Sequence, residues 1–185
     1  AQGELATALD SFRASLTIRE RLAAADPGNA GWQRDLSVSH NKIGDVQVTQ
    51  GDLGAALDSF RASHTIFERL AAVDPGNAGW QRDLAVSNER VGDMEDRNGN
   101  TPKAIAAFER ALAIYEALLA RYPDNTQMRV YSVIPRWRLG RLLGVDGRHH
   151  LERALAILKE LETTNRLDAE RTSWIPKIEA HLNLQ

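Results

Sequence analysis

ALDSFRASLTIRERLAAADPGNAGWQRDLSVS, residues 8–39, is written again as ALDSFRASHTIFERLAAVDPGNAGWQRDLAVS, residues 56–87. The repeat is longer than this quotation: residues 2–49 recur as residues 50–97, with a shift of 48 positions and fifteen differences. A fixed period in this range marks an array in which each supersecondary unit buries its apolar face against copies of itself. Arrays of this kind present surface more often than they enclose chemistry.

Within the unit the apolar positions follow a helical period. Trp32, Leu36, Ser39, Ile43 and Val46 fall on one side of a helix, and Trp80, Leu84, Ser87, Val91 and Met94 repeat the pattern. Gly51 suits a left-handed position after a helix, and Asp52 suits the N-cap of the next. That next helix carries two stripes, Leu57, Phe60, His64, Phe67 and Ala71 beside Ala56, Ser63 and Leu70. Two stripes mean packing on two sides. Asp74-Pro75-Gly76-Asn77 closes the unit, because proline disfavours the helical region for the residue before it and glycine permits the turn.

The third copy has diverged. Pro102 stands at a helix start, Phe108, Leu112, Tyr115 and Leu118 form its core stripe, and Pro123 ends it. Pro135 falls inside the following helix and predicts a kink. Gly144 to Gly147 predict a turn. A helix with Leu151, Leu155 and Leu158 on one stripe and Ala154, Ile157 and Leu161 on the other comes next. A last segment places Trp174, Ile178 and Leu182 inward. The expectation is eight helices, near 5–25, 30–49, 53–73, 78–97, 102–121, 126–144, 148–163 and 169–184, with no strand.

The 185 residues carry a net charge of −2, so no global field draws the chain to nucleic acid or an anionic membrane. Cysteine is absent, which removes disulfides, thiolate nucleophiles and thiolate ligands and fits a cytoplasmic protein. No apolar run reaches the roughly 20 residues of a membrane span. The first residues, AQGELATALD, lack the basic and apolar regions of a signal peptide, and the start at Ala1 without Met reads as a fragment or a processed product.

Ile43-Gly44 with Ala56 and Phe60, then Val91-Gly92 with Ala104 and Phe108, and Leu139-Gly140 in the third copy, resemble the tetratricopeptide repeat (TPR). The usual unit of that family is about 34 residues; here it is 48, and the long helices are similar to bacterial extended-helix TPR arrays. The first-helix aromatic of the family is replaced by His40 and Asn88. The resemblance implies an all-α, right-handed α-solenoid of antiparallel helix pairs. Residues 1–28 are the second helix of a truncated repeat, 29–75, 76–123 and 124–165 are three repeats, and 166–185 is a C-terminal capping helix.

It also implies a non-catalytic scaffold that binds a peptide or protein segment on a concave groove lined by the first helix of each unit. Carried onto this chain, that groove holds Asn41, Lys42, Asp45, Glu89, Arg90, Asp93, Arg97, Trp137, Arg138 and Arg141. The differences between copies one and two concentrate near it. Nine of the fifteen lie between Ser37 and Thr49, as expected for a partner-specific groove or for solvated surface. Trp137, flanked by Arg136 and Arg138, reads as a binding anchor or as packing beside the Pro135 kink. The arginines from 129 to 148 read as a grip for an acidic peptide or as a face paired with carboxylates.

His149-His150 lacks the further ligands of a metal site, and no phosphate loop, nucleophile elbow or HExxH motif occurs. No cofactor, metal, nucleic acid or membrane is expected. The alternative role is that of a structural, oligomerising or regulatory segment of a larger signalling or effector protein. In that role the stripe Leu5, Leu9, Phe12 and Leu16 is exposed on the first helix and supports self-association.

Overall fold

The computed structural model describes residues 2–184. They are helical, without strands among the described residues, and divide into two compact units between Asn100 and Thr101. Each unit is taken by itself.

The first unit is a succession of four long helices: α1 (Gln2–Ala25), α2 (Ala30–Gln50), α3 (Leu53–Val73) and α4 (Ala78–Arg97). Each packs mainly on its neighbours in sequence. The turns explain why. Asn29 and Asn77 adopt the same extended conformation, φ near −76° and −77°, and accept the backbone N–H of Trp32 and Trp80. A free amide at a helix start is thereby satisfied, an interaction worth about 1 kcal/mol. Asp26 and Asp74 each accept the N–H of the glycine two residues on, at 3.2 Å. Gln33 and Gln81 then donate to the carbonyls of Ala23 and Ala71, at 3.3 Å, and so hold the turn against the helix before it. Each recurrence of DPGNAGWQ is therefore the same cross-braced corner. Between α2 and α3 the corner is tighter: Gly51 sits at φ 84° with its N–H on the last carbonyls of α2, and Asp52 caps α3 through the N–H of Ala55.

Two apolar clusters divide α3 between its first and second halves, each drawing on both stripes. Ala56, Leu57 and Phe60 meet Met94, Val48 and Val91. Ile66, Phe67 and Leu70 meet Ala30 and Leu36 of α2, and Trp80 and Leu84 of α4. The Phe60 ring lies where a side chain on Gly44 would stand; a Cβ there would come within 2.6 Å of it. The glycine is thus required by the approach of two helices. In α1 the stripe Leu5, Leu9, Phe12 and Leu16 packs on Ile43 and Val46 of α2, with Leu9 buried. The expectation that this stripe is exposed is corrected: α2 covers it, as α4 covers the matching residues of α3.

The second unit comprises α5 (Thr101–Arg121), α6 (Thr126–Tyr131), α7 (Val133–Leu143), a 3-10 turn at Gly144–Gly147, α8 (Arg148–Thr163), α9 (Ala169–Thr172) and α10 (Trp174–Asn183). Asn125 repeats the cap of Asn29 and Asn77, accepting from Met128. The kink expected at Pro135 is a full break at Ser132, which separates α6 from α7. The proline nitrogen has no hydrogen for the carbonyl of Tyr131, so the chain tightens one turn earlier. The Ser132 hydroxyl donates to the Arg129 carbonyl at 2.7 Å.

Ser173 and Pro176 repeat the arrangement 41 residues later, with Ser173 at φ −64° and its hydroxyl on Glu170 at 2.6 Å. The expected capping helix is therefore broken as well. Seven α-helices reach eleven residues among the described residues, where eight were expected.

Leu139 meets Phe108 and Leu112, while Gly140 closes on Leu151: a Cβ at Gly140 would stand 2.4 Å from Leu151 Cγ. Leu151, Leu158, Leu161 and Ile178 are fully buried at the centre of the α8 core.

Candidate binding surface on the first helices

α2 and α4 bring two of the expected residues, Asp45 and Arg90, into contact. Arg90 donates to Asp45 at 2.5 Å, and its guanidinium lies 5.2 Å from the centre of the Phe60 ring. The pair ties α2 to α4 over a core aromatic. Both side chains keep about a third or more of their surface open, 34% for Arg90 and 44% for Asp45. Lys42 and Arg97 are exposed, Asn41 and Asp93 half-buried.

Glu89, expected on this face, is only 8% exposed and lies beneath it. Several other positions that differ between the copies are buried too. Gln47 accepts from Ser59 at 2.7 Å, and Glu95 accepts from Arg61 and from Asn100, at 2.5 and 2.8 Å. Part of the divergence between copies is thus a rewiring of helix contacts. Sequence reasoning missed these partners because a charged residue on a helix reads as solvated. Arg61 and Glu95 lie 34 positions apart and meet only in the fold.

In the second unit Arg141 is exposed and Arg138 half-buried. Trp137 is half-buried and turned inward. Its ring lies 6.3 Å from Trp174 and 6.0 Å from His181, edge to face, against the α8 core. Three of the clustered arginines are paired: Arg129 with Glu160 and Arg136 with Glu116, both at 2.5 Å, and Arg148 with Glu152 at 2.9 Å.

His64, Ser87 and Glu68 stand in the order of a hydrolytic triad. The Ser87 hydroxyl is 2.9 Å from His64 Nδ1, and His64 Nε2 is 3.2 Å from Glu68. Access distinguishes them from one. Ser87 is 1% exposed and its hydroxyl donates to the Leu84 carbonyl at 2.8 Å, so its proton is directed away from His64 and burial closes its oxygen to an incoming substrate. In the first copy Arg19 donates to the matching Ser39. These contacts join helices.

His149 and His150 stack with centroids 4.0 Å apart. No group of three metal-ligating side chains forms among the described residues. Burial pushes the His150 imidazole down to about 4, with His149 and Arg136 adding to the effect and Glu116 opposing it. Folded His150 therefore stays neutral where the unfolded chain, near the ordinary 6.5, takes up a proton. Its contribution to stability is complete above pH 6.5 and is lost as the pH falls toward 4. The urea midpoint of the second unit is expected to decline across that window, and His150→Asn to flatten the decline. An equal decline in both proteins would assign it to other groups.

Two clefts open beside the turns. One, of about 220 Å³, is lined by Pro27, Ala30, Ile66, Leu70, Val73 and Trp80. The other, of about 310 Å³ in the second unit, is lined by Gln127, Tyr131, Arg166, Asp168 and Arg171 among others.

No family model matches the chain, and no curated protein matches it. No helix among the described residues is long and apolar enough to cross a membrane.

Proposed function

We propose that this chain is a non-catalytic interaction module of the TPR type, a right-handed α-solenoid of antiparallel helix pairs. It takes a peptide or protein segment on the face of its first-type helices. One observation carries the reading. Glycines at matching places, Gly44 and Gly140, admit a bulky side chain of the following helix, Phe60 and Leu151. Close approach of this kind seats each first-type helix on the helix that follows it, and with the Asp45–Arg90 pair tying α2 to α4 the other side of the first-type helices is left to another molecule. On that face Lys42, Arg97 and the Asp45–Arg90 pair offer cations beside an acid. In the second unit, taken by itself, Arg138 and Arg141 stand on the first-type helix α7. Trp137 is left out of the binding face, because its ring packs internally.

A segment carrying acidic residues fits the exposed Lys42 and Arg97. Its binding weakens as salt rises, since exposed charges are screened. The test is affinity capture from cell extract with wild type and the double variant Lys42→Glu, Arg97→Glu, followed by salt elution. The variant is expected to keep its helical content and melting temperature while losing the salt-sensitive partners. Equal recovery of the same proteins by both would refute the groove.

A further inference from the structure

We infer that the cleft beside the first DPGN corner is a binding site for a small organic acid, an aromatic body on a short chain that ends in a carboxylate.

The cleft is held open by the corner itself. Pro27 and Ala30 form one wall, and the turn that carries them is braced. Asp26 accepts the Gly28 N–H at 3.2 Å, and the Gln33 amide donates to the carbonyls of Ala23 and Pro27 at 3.3 and 3.4 Å. Another wall is Trp80, whose backbone N–H is held by the Asn77 side chain at 3.1 Å. Ile66 and Leu70 of α3, 4% and 6% exposed, supply the apolar floor. A site formed before its ligand arrives loses little freedom on binding. Every lining residue lies between Pro27 and Trp80, with α1 before them and the rest of α4 after, so the opening does not depend on where the sequence begins.

Two rim residues select the ligand. Val73 is 80% exposed and extends the apolar surface outward from the floor. Arg69 is the one charged side chain in the lining among the described residues, and it is exposed. The neighbouring Glu68 is taken by His64 at 3.2 Å, while Arg69 has no ion-pair partner among the described residues. One guanidinium matches one carboxylate through two parallel N–H···O bonds. A phosphate dianion calls for further donors, which an apolar lining does not supply. Size sets the body. An apolar cavity of roughly 150 Å³ accepts benzene, so the cleft, of about 220 Å³, has room for one ring with a short chain.

The test titrates the full chain with phenylbutyrate, read by isothermal calorimetry and by the Trp80 indole N–H signal in NMR, assigned through Trp80→Phe. Saturable binding is expected with a dissociation constant below about 1 mM, and the Trp80 signal moves while those of Trp137 and Trp174 do not. Phenylbutanol, the same body without the charge, binds at least about threefold more weakly. Arg69→Gln lowers the acid to the level of the alcohol and leaves the alcohol unchanged; Val73→Asp weakens both. Both substitutions fall at exposed positions, so the melting temperature is expected to hold. A tripeptide ending in phenylalanine binds more weakly than phenylbutyrate, because the cleft offers its peptide groups no partners. Neither Lys42 nor Arg97 lines the cleft, so the Lys42→Glu, Arg97→Glu protein binds phenylbutyrate normally and failure of the groove leaves this result standing. Absence of saturation, an acid-to-alcohol ratio untouched by Arg69→Gln, or tighter binding of the tripeptide would overturn the inference.

Discussion

Phe60→Ala is expected to destabilise the first unit by about 3–5 kcal/mol, the usual cost of emptying a ring-sized site in a packed core. Phe60 is 3% exposed and touches helices on both sides, α2 through Gly44 and Val48, α4 through Val91 and Met94. Gly44→Ala alone is expected to cost about 1–3 kcal/mol by overpacking, since the ring must move from a Cβ set 2.6 Å away. With Phe60 already truncated, the alanine at 44 fills part of the void. The double variant is then less damaged than the two single losses combined, as residues in direct contact should be. Hydrogen exchange across α2 and α3 reads all three proteins. Simple additivity would mean that the glycine and the ring do not share one space. The Arg90 guanidinium over the ring adds a functional consequence: a change in this core residue also loosens the Asp45–Arg90 pair on the surface.

Trp137→Ala is expected to cost the second unit about 3 kcal/mol, toward the lower end for a tryptophan because the ring is only half-buried. Its contacts with Trp174 and His181 hold α7 to α10. Trp137→Phe keeps an aromatic in that contact and is expected to retain most of the stability. A binding anchor would behave otherwise, with both substitutions leaving the urea midpoint unchanged and altering only ligand affinity. Urea unfolding followed by far-ultraviolet circular dichroism separates the cases.

The corners of this fold were readable from the chain because they are local. Asp52 caps α3 three residues ahead of the amide it satisfies, and Gly51 takes its positive φ where the helical pattern stops. The apolar stripes were readable for a similar reason, since period alone orders Phe108, Leu112, Tyr115 and Leu118. What the chain concealed depends on distant partners. Glu95 is buried because Arg61 and Asn100 come to it. Leu9 is covered because α2 folds back over α1. Trp137 is turned inward because α10 provides Trp174. Of the residues expected on the binding surface, Lys42 and Arg97 are exposed, whereas Glu89 is buried. A charge on a helix gives its side only to within the width of a stripe, and burial is decided at that width.

The paired breaks at Ser132 and Ser173 share one local device. A four-residue phrase, Ser-Val-Ile-Pro in one place and Ser-Trp-Ile-Pro in the other, interrupts the helix with nearly the same dihedrals, φ −64° and ψ of −14° or −12°. Both breaks combine a hydroxyl returning to a carbonyl three residues back with a missing amide hydrogen. Where the phrase occurs, one long helix becomes two shorter ones, so the chain gains a junction without inserting a loop.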